Sequence, residues 1–239
     1  MAQQTKDRQL HSAAHGGELE KVKTLCSDPD VNVNWQAENG FTALYVACNK
    51  GHRHVVEHLL THPKIDPNLA ANQGGTPFWI ACCFGHKEVV SVMLADARVD
   101  PNKPNDRQIT PLWFASQNGH LPVVQLLLAS ERDIDTKTKS VSNTTAAQKA
   151  RGLGGEVKKA DNETEEVFQR RKKYCAAIAD LIDSYEKDAT GVRARLRREL
   201  GLPGTFHSLP YCVLSLTHSF SDVRSQENPS HPRREISPS

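Results

Sequence analysis

A block of residues recurs at a fixed interval of 34, and this constrains the fold more than any other property of the chain. Thr42-Ala43-Leu44-Tyr45-Val46-Ala47 ends at Gly51-His52, Thr76-Pro77-Phe78-Trp79-Ile80-Ala81 at Gly85-His86, and Thr110-Pro111-Leu112-Trp113-Phe114-Ala115 at Gly119-His120. A period of this length belongs to solenoids, whose units bury apolar faces on one another and leave one long surface open. Such a surface is suited to binding.

Each unit reads as a pair of helices. The Thr has the side-chain oxygen that caps a helix N-terminus, and Pro77 and Pro111 follow at the first helical position, where a missing N–H costs nothing. The Leu or Phe at the third position and the Ala at the sixth share a face, and the small Ala admits a second helix closely. Gly51, Gly85 and Gly119 supply the left-handed conformation that stops the helix. A second helix then carries Val55-Val56 and Leu59-Leu60, Val89-Val90 and Met93-Leu94, or Val123-Val124 and Leu126 to Leu128, the spacing of a buried stripe. Val31-Asn32-Val33-Asn34, Ile65-Asp66-Pro67-Asn68 and Val99-Asp100-Pro101-Asn102 lead into polar hairpin loops before the next unit.

At these residues the chain resembles the ankyrin repeat family, whose Thr-Pro-Leu-His-x-Ala and Gly-His signature is matched in order and spacing by the three units. The resemblance implies an all-α solenoid of helix-turn-helix units with hairpin loops. Tyr45, Trp79 and Trp113 stand where the family has His, and each unit is one residue longer than the common 33, the addition falling near His62-Pro63. The aromatic trio is expected to stack as a ladder along adjacent inner helices, replacing hydrogen bonds by buried area; a ligand-binding row is the other reading.

Weaker copies flank the three. Arg8 to Ala13 with Gly16-Gly17, then Leu19, Val22 and Leu25, reads as an N-terminal capping repeat; Thr145 to Ala150 with Gly154-Gly155 keeps the frame but is polar, as a terminal unit must be. The predicted organisation is a repeat domain over 1–155, with repeats starting near 8, 42, 76, 110 and 145, a helical extension over 156–201 and a disordered tail over 202–239.

Glu163 to Lys187 predicts one helix of about seven turns with Val167, Tyr174, Ile178, Leu181, Ile182 and Tyr185 on one face. It is expected to dock on the last repeat in place of a regular second helix, with partner binding as the alternative. Gly191 to Gly201 reads as a short basic helix with Val192, Leu196 and Leu200 on one side and four Arg mostly on the other, expected to be a solvated face because nearby acids balance it. The Ser-, Pro- and His-rich stretch from Pro203 contains one apolar island, Leu209 to Leu216, either a linear motif or a segment packed on the cap.

A formal net charge of +2 over 239 residues gives no reason to expect nucleic acid as the partner. The polar start lacks a secretory core and no apolar run is long enough to span a bilayer, so an intracellular protein is expected, in the cytoplasm or else the nucleus. The six Cys fall at no metal-ligand spacing and read as reduced structural residues. Cys48 and Cys82 occupy equivalent sites of neighbouring units, roughly 10 Å apart and too far to share a zinc. His52, His86 and His120 belong to the repeat. With no phosphate loop, nucleophile elbow or zinc-protease helix, neither catalysis nor a cofactor or metal is expected.

The family resemblance implies that hairpin tips and the exposed ends of the inner helices choose the partner on a concave face. The tips are Glu38, Asn39 and Phe41; Asn72, Gln73 and Gly75; Asp106, Arg107 and Ile109. The helix ends are Asn49 and Lys50, Cys83 and Phe84, Gln117 and Asn118, while Trp35 and Leu69 open their hairpins. Free of fold duty, these positions are expected to hold a protein or peptide partner through Phe84, with Phe41 and Ile109 in reach and Lys50, Glu38, Asp106 and Arg107 setting orientation. Phe84 tucked between helices is the other reading. The implied function is a scaffold or adaptor, monomeric alone; the alternative is a regulatory or targeting factor acting through the basic helix and the Ser-rich tail.

Overall fold

The computed structural model describes residues 2–152 and 163–203, and its helices all lie in one compact unit, Met1–Leu202. The expected tail with its Leu209 to Leu216 island, and Gly154-Gly155, lie outside the described residues. The architecture is all-α: eleven helices and no strand among the described residues. The inner layer runs α1 (Ala2–Gly16), α3 (Ala43–Lys50), α5 (Pro77–Phe84), α7 (Pro111–Gln117) and α9 (Ala146–Ala150). The outer layer runs α2 (Leu19–Cys26), α4 (Arg53–Thr61), α6 (Lys87–Ala95) and α8 (Leu121–Ala129), each element packing on the next of its own layer.

Local chemistry starts and stops these helices as the sequence predicts. Thr42, Thr76 and Thr110 accept hydrogen bonds from the backbone N–H groups of Tyr45, Trp79 and Trp113 at 3.0, 3.1 and 3.2 Å. Thr145 forms a reciprocal capping box with Gln148. Gly51 and Gly85 end α3 and α5 at φ +74° and +73°. The Ala, Cys and branched residues between caps form one continuous core that runs the length of the stack. Each hairpin closes on itself and is tied to its neighbour by one backbone bond: Asn72 N–H donates to Asn39 O, Asp106 to Gln73 O and Val141 to Arg107 O, at 3.1–3.2 Å.

The first unit departs from the expected start near Arg8. Its inner helix begins at Ala2, because no Thr-Pro cap forces a start, and it buries Leu10, Ala13 and Ala14 on α3.

The aromatic trio does not form the expected ladder. Inner helices stand roughly 10 Å apart, beyond the 4.5–7 Å at which rings pair. Phe41 stacks on Tyr45 instead (4.3 Å between centroids), and Phe114 sets its edge on Trp79 (4.9 Å). Hydrogen bonds are kept rather than replaced: Trp79 Nε1 donates to Ile109 O at 2.8 Å and Trp113 Nε1 to Thr144 O at 3.0 Å, joining each inner helix to the following hairpin.

The stack is closed by α10 (Glu165–Lys187) and α11 (Ala189–Glu199). As expected, α10 docks on the last repeat, against α9, α8 and α7, and an Arg151–Asp183 ion pair ties it to the end of α9. Its buried set is Cys175, Ile178, Ala179, Ile182 and Tyr185. Val167 and Tyr174, expected on that face, fall on its solvent edge and are 47% and 37% exposed. The basic helix α11 is also corrected, from a solvated face to a docked one. It covers α8 beyond the last repeat, burying Val192 and Leu196. Arg197 donates to Ala129 O at 3.3 Å, while Arg193 donates to Tyr185 Oη at 2.6 Å with its guanidinium over the ring.

Candidate partner-binding cleft

Neighbouring hairpins leave a gap above the inner helices, and between the second and third units it opens into a cleft of about 250 Å³. Phe41, Tyr45 and Trp79 wall it; Asn39, Ala71, Asn72, Gln73, Gly75 and Asn105 complete the lining. Each wall residue is there for a local reason. Tyr45 and Trp79 sit three residues past a capping Thr, in the first turn and next to the hairpin base, and Phe41 immediately precedes the cap and stacks on Tyr45. The amides stand on turns that their own side chains build: Asn39 Oδ1 accepts from Phe41 N–H at 3.1 Å, and Asn105 Oδ1 accepts from Arg107 and Ile109 N–H at 3.0 Å.

The nine lining residues carry no formal charge at neutral pH. Tyr45 is the only titratable group among them, and burial pushes its hydroxyl up to about 12, so it remains a neutral O–H. Thiol chemistry is suppressed nearby for the same reason: burial pushes Cys83 up to about 11 and Cys48 and Cys82 higher still, which keeps them protonated. Among the described residues, no group of three or more His, Cys, Asp or Glu is placed to hold a metal ion.

Of the residues singled out in the sequence, Asn39, Phe41, Asn72, Gln73 and Gly75 line the cleft. Glu38, Asp106 and Arg107 are exposed on the flanking tips, and Lys50 is exposed at the end of α3. Phe84 is 54% exposed, so it is not tucked between helices, but it does not line the cleft with Phe41; its ring neighbour is His86, 6.2 Å away. It closes α5 five residues beyond Trp79, which is roughly 7.5 Å along the axis.

Several of these positions do have fold duties. Asn72 Nδ2 donates to Glu38 O at 2.8 Å and Asn118 Nδ2 to Cys83 O at 2.9 Å. Asn49 O bonds with His86 Nε2 at 2.9 Å, and Ile109 is half-buried with its carbonyl held by Trp79. Trp35 meets the His11 ring edge-on at 5.9 Å; Leu69 and Gln117 are half-buried.

Sequence reasoning missed Ala71 and Asn105, and for Tyr45 and Trp79 it favoured a structural ladder, with a ligand-binding row as the other reading. The available signal was register: Ala37, Ala71, Asn105 and Ser140 each donate an N–H that closes their own hairpin. A small Ala71 at that point leaves room beside Trp79.

No helix of the described residues is long and apolar enough to cross a membrane. A family model described as ankyrin repeats (3 copies) matches the sequence twice, over residues 3–71 and 64–140. No curated protein matches the chain.

Proposed function

The chain belongs to the ankyrin repeat family, and on that premise we propose that it is a non-catalytic scaffold that holds a protein partner on its concave face. Ankyrin repeats generally mediate protein–protein interaction. The observation that carries the proposal is the open cleft walled by Phe41, Tyr45 and Trp79. Phe41 is half-buried on the cleft wall, whereas Tyr45 and Trp79 are only 5% and 9% exposed, so the cleft offers a partner a shaped recess with an aromatic floor rather than a large free aromatic surface. Glu38, Lys50, Asp106 and Arg107 on the flanks set its orientation, and Phe84 contributes at the far end of α5. Trp35, Asn49, Leu69, Ile109, Gln117 and Asn118 extend the same face.

In this reading the chain is monomeric until the partner binds, and α10 and α11 close the stack rather than addressing the protein elsewhere. The engagement of Arg193 and Arg197 supports this assignment. The described cysteines are all free, which suits a reducing compartment, and we place the protein in the cytoplasm.

Affinity capture with quantitative mass spectrometry tests the scaffold proposal, comparing the natural chain with Gln73→Arg/Asn105→Arg, which fills the cleft with charge. At least one protein is expected to be lost from the variant and, once purified, to bind it at least about tenfold more weakly. Equal capture of every protein by both chains overturns the assignment of the concave cleft.

A further inference from the structure

We propose that the outer face of α4 holds a divalent transition-metal ion between His54 and His58, a site separate from the cleft and independent of the scaffold reading. Sequence reasoning sought His-Glu-x-x-His and passed over the reversed order, His54-Val55-Val56-Glu57-His58. Either order sets two imidazoles four residues apart, the spacing at which zinc enzymes present a pair of ligands from one helix. The whole motif lies within α4, so the spacing is realised on one helical face. Side chains four apart on a helix have Cβ atoms about 5–6 Å from each other, within reach of one ion. Val55 and Val56 are buried against the core, while the His54 side chain is 75% exposed and His58 is half-buried.

Glu57 supplies the second observation. Its Oε2 lies 3.3 Å from His54 Nδ1, and its Oε1 accepts from Arg53 Nε at 2.7 Å, which holds the carboxylate in place. A carboxylate only accepts, so in the neutral ring the proton sits on Nδ1 and Nε2 is left with the lone pair. Metal-bound imidazoles have this arrangement, a carboxylate on the second nitrogen fixing the tautomer and raising the basicity of the first. The His58 ring makes no hydrogen bond among the described residues and is free to ligate. His62 continues the stripe but accepts the Lys64 N–H through Nδ1 at 3.2 Å, which places its proton on Nε2 and takes it out of the set. The charges that act on His58 from α2, Lys23 and Glu20, are bonded to each other at 2.8 Å. Imidazole pairs suit Cu²⁺, Ni²⁺ and Zn²⁺, in falling order for Cu²⁺ against the other two. Among the described residues no third His, Cys, Asp or Glu closes the set, so water fills the remaining positions and the ion exchanges.

Calorimetric titration of the untagged full chain with Ni²⁺ and Zn²⁺ tests this. The tightest event is expected at one ion per chain, and Zn²⁺ is expected to shift the imidazole NMR signals of His54 and His58 before those of any other histidine. His54→Gln, at an exposed position, and His58→Gln should each weaken that event at least about hundredfold, and Glu57→Gln, which touches no ion, about tenfold. His62→Gln should leave it unchanged. Because His54 points to solvent, its variant reports on the site even if His58→Gln fails to fold. No saturable binding, first shifts at other histidines, or undiminished affinity in His54→Gln overturns the inference. Equal affinity of the natural chain and Glu57→Gln reduces the pair to two adventitious surface histidines and overturns it as well. None of these outcomes bears on the cleft, which stands or falls with the capture comparison above.

Discussion

Arg171 of the closing helix lies against Gly119 of the fourth unit, in the place a histidine fills at every earlier junction. A Cβ on Gly119 would come within 3.0 Å of Arg171 Cγ; on Gly17, Gly51 and Gly85 it would meet His52, His86 and His120. Each of those imidazoles bonds through Nε2 to a carbonyl near the end of the previous inner helix, His15 O, Asn49 O or Cys83 O, at 2.9 Å. At the last junction Cys175 Sγ takes that part, 3.4 Å from Ser116 O. A helix outside the repeat frame thus reproduces the contact by which one repeat seats on the next.

Replacing Gly85 by Ala should destabilise the stack by about 2–3 kcal/mol, because the left-handed backbone is strained and the new methyl carbon meets His120 Nδ1 at 2.5 Å. Gly201, at φ +63° with nothing within 4 Å among the described residues, provides the control, and Ala there should cost only about 1 kcal/mol. Urea unfolding of the two variants measures the difference; equal losses would remove the seating contact as a source of stability.

Gln108 adopts φ +56° at the hairpin position where the two preceding units have Gly40 and Gly74 at +78°. Gln108→Gly should therefore raise stability by about 1 kcal/mol, since the Cβ clash of the left-handed conformation disappears. A melting temperature below that of the natural chain contradicts this.

Trp113→Phe retains an aromatic ring but leaves Thr144 O without its indole donor and gives the Lys149 ammonium, 5.4 Å from the indole centroid, a weaker π face. A loss of about 1–2 kcal/mol is expected, accompanied by faster hydrogen exchange at Asn143, whose N–H closes the same hairpin on Ser140 O. Unchanged exchange there would separate the indole bond from the order of the last hairpin.

Leu196 is 1% exposed where α11 covers α8, and Leu196→Ala should cost about 2–4 kcal/mol. Arg195 is half exposed, paired only loosely with Glu199 at 3.8 Å, and its replacement by Ala should change stability by no more than about 0.5 kcal/mol. Similar losses in both variants would argue against docking through the apolar side of α11.

Stability should fall on acidification in two windows. Burial lowers His120 below the ordinary imidazole range, against a hydrogen bond with Cys83 O that works to raise it; burial also lowers His11, His58 and His62. The unfolded chain then binds the proton more readily, so this stability is complete above about pH 6.5 and declines as pH drops through and below that value. Burial works to raise Asp96 and Asp135, but hydrogen bonds from Arg98 and from Thr138 and Lys137 outweigh it and hold both carboxyls low. Their contribution is present above about pH 4 and is lost below it. Urea midpoints measured from pH 7 to 3 should decline in both ranges, with His120→Gln flattening the upper one; a midpoint that rises between pH 7 and 5 contradicts the assignment.

The repeat frame, its capping threonines, its left-handed glycines and its buried stripes were legible along the chain because each depends on residues within one unit and recurs every 34 positions. The same locality hid what joins the units. The indole donors of Trp79 and Trp113 find carbonyls 30 and 31 residues away, which no short-range pattern announces. The apolar positions of α10 were readable, but which of them turn inward depends on how α9 and α8 meet the helix, and this left Tyr174 outside and Cys175 inside. The cleft is likewise a relation between repeats: Asn39, Phe41, Asn72 and Gln73 were visible as hairpin residues, whereas Ala71 and Asn105 join them only when adjacent units stack, and Phe84 is excluded by its distance along α5. The sequence by itself therefore determined the unit and its family, since caps, turns and periodicity act over a few residues; the tertiary structure decided the seal and the candidate cleft, since both are made of surfaces that meet only when repeats pack.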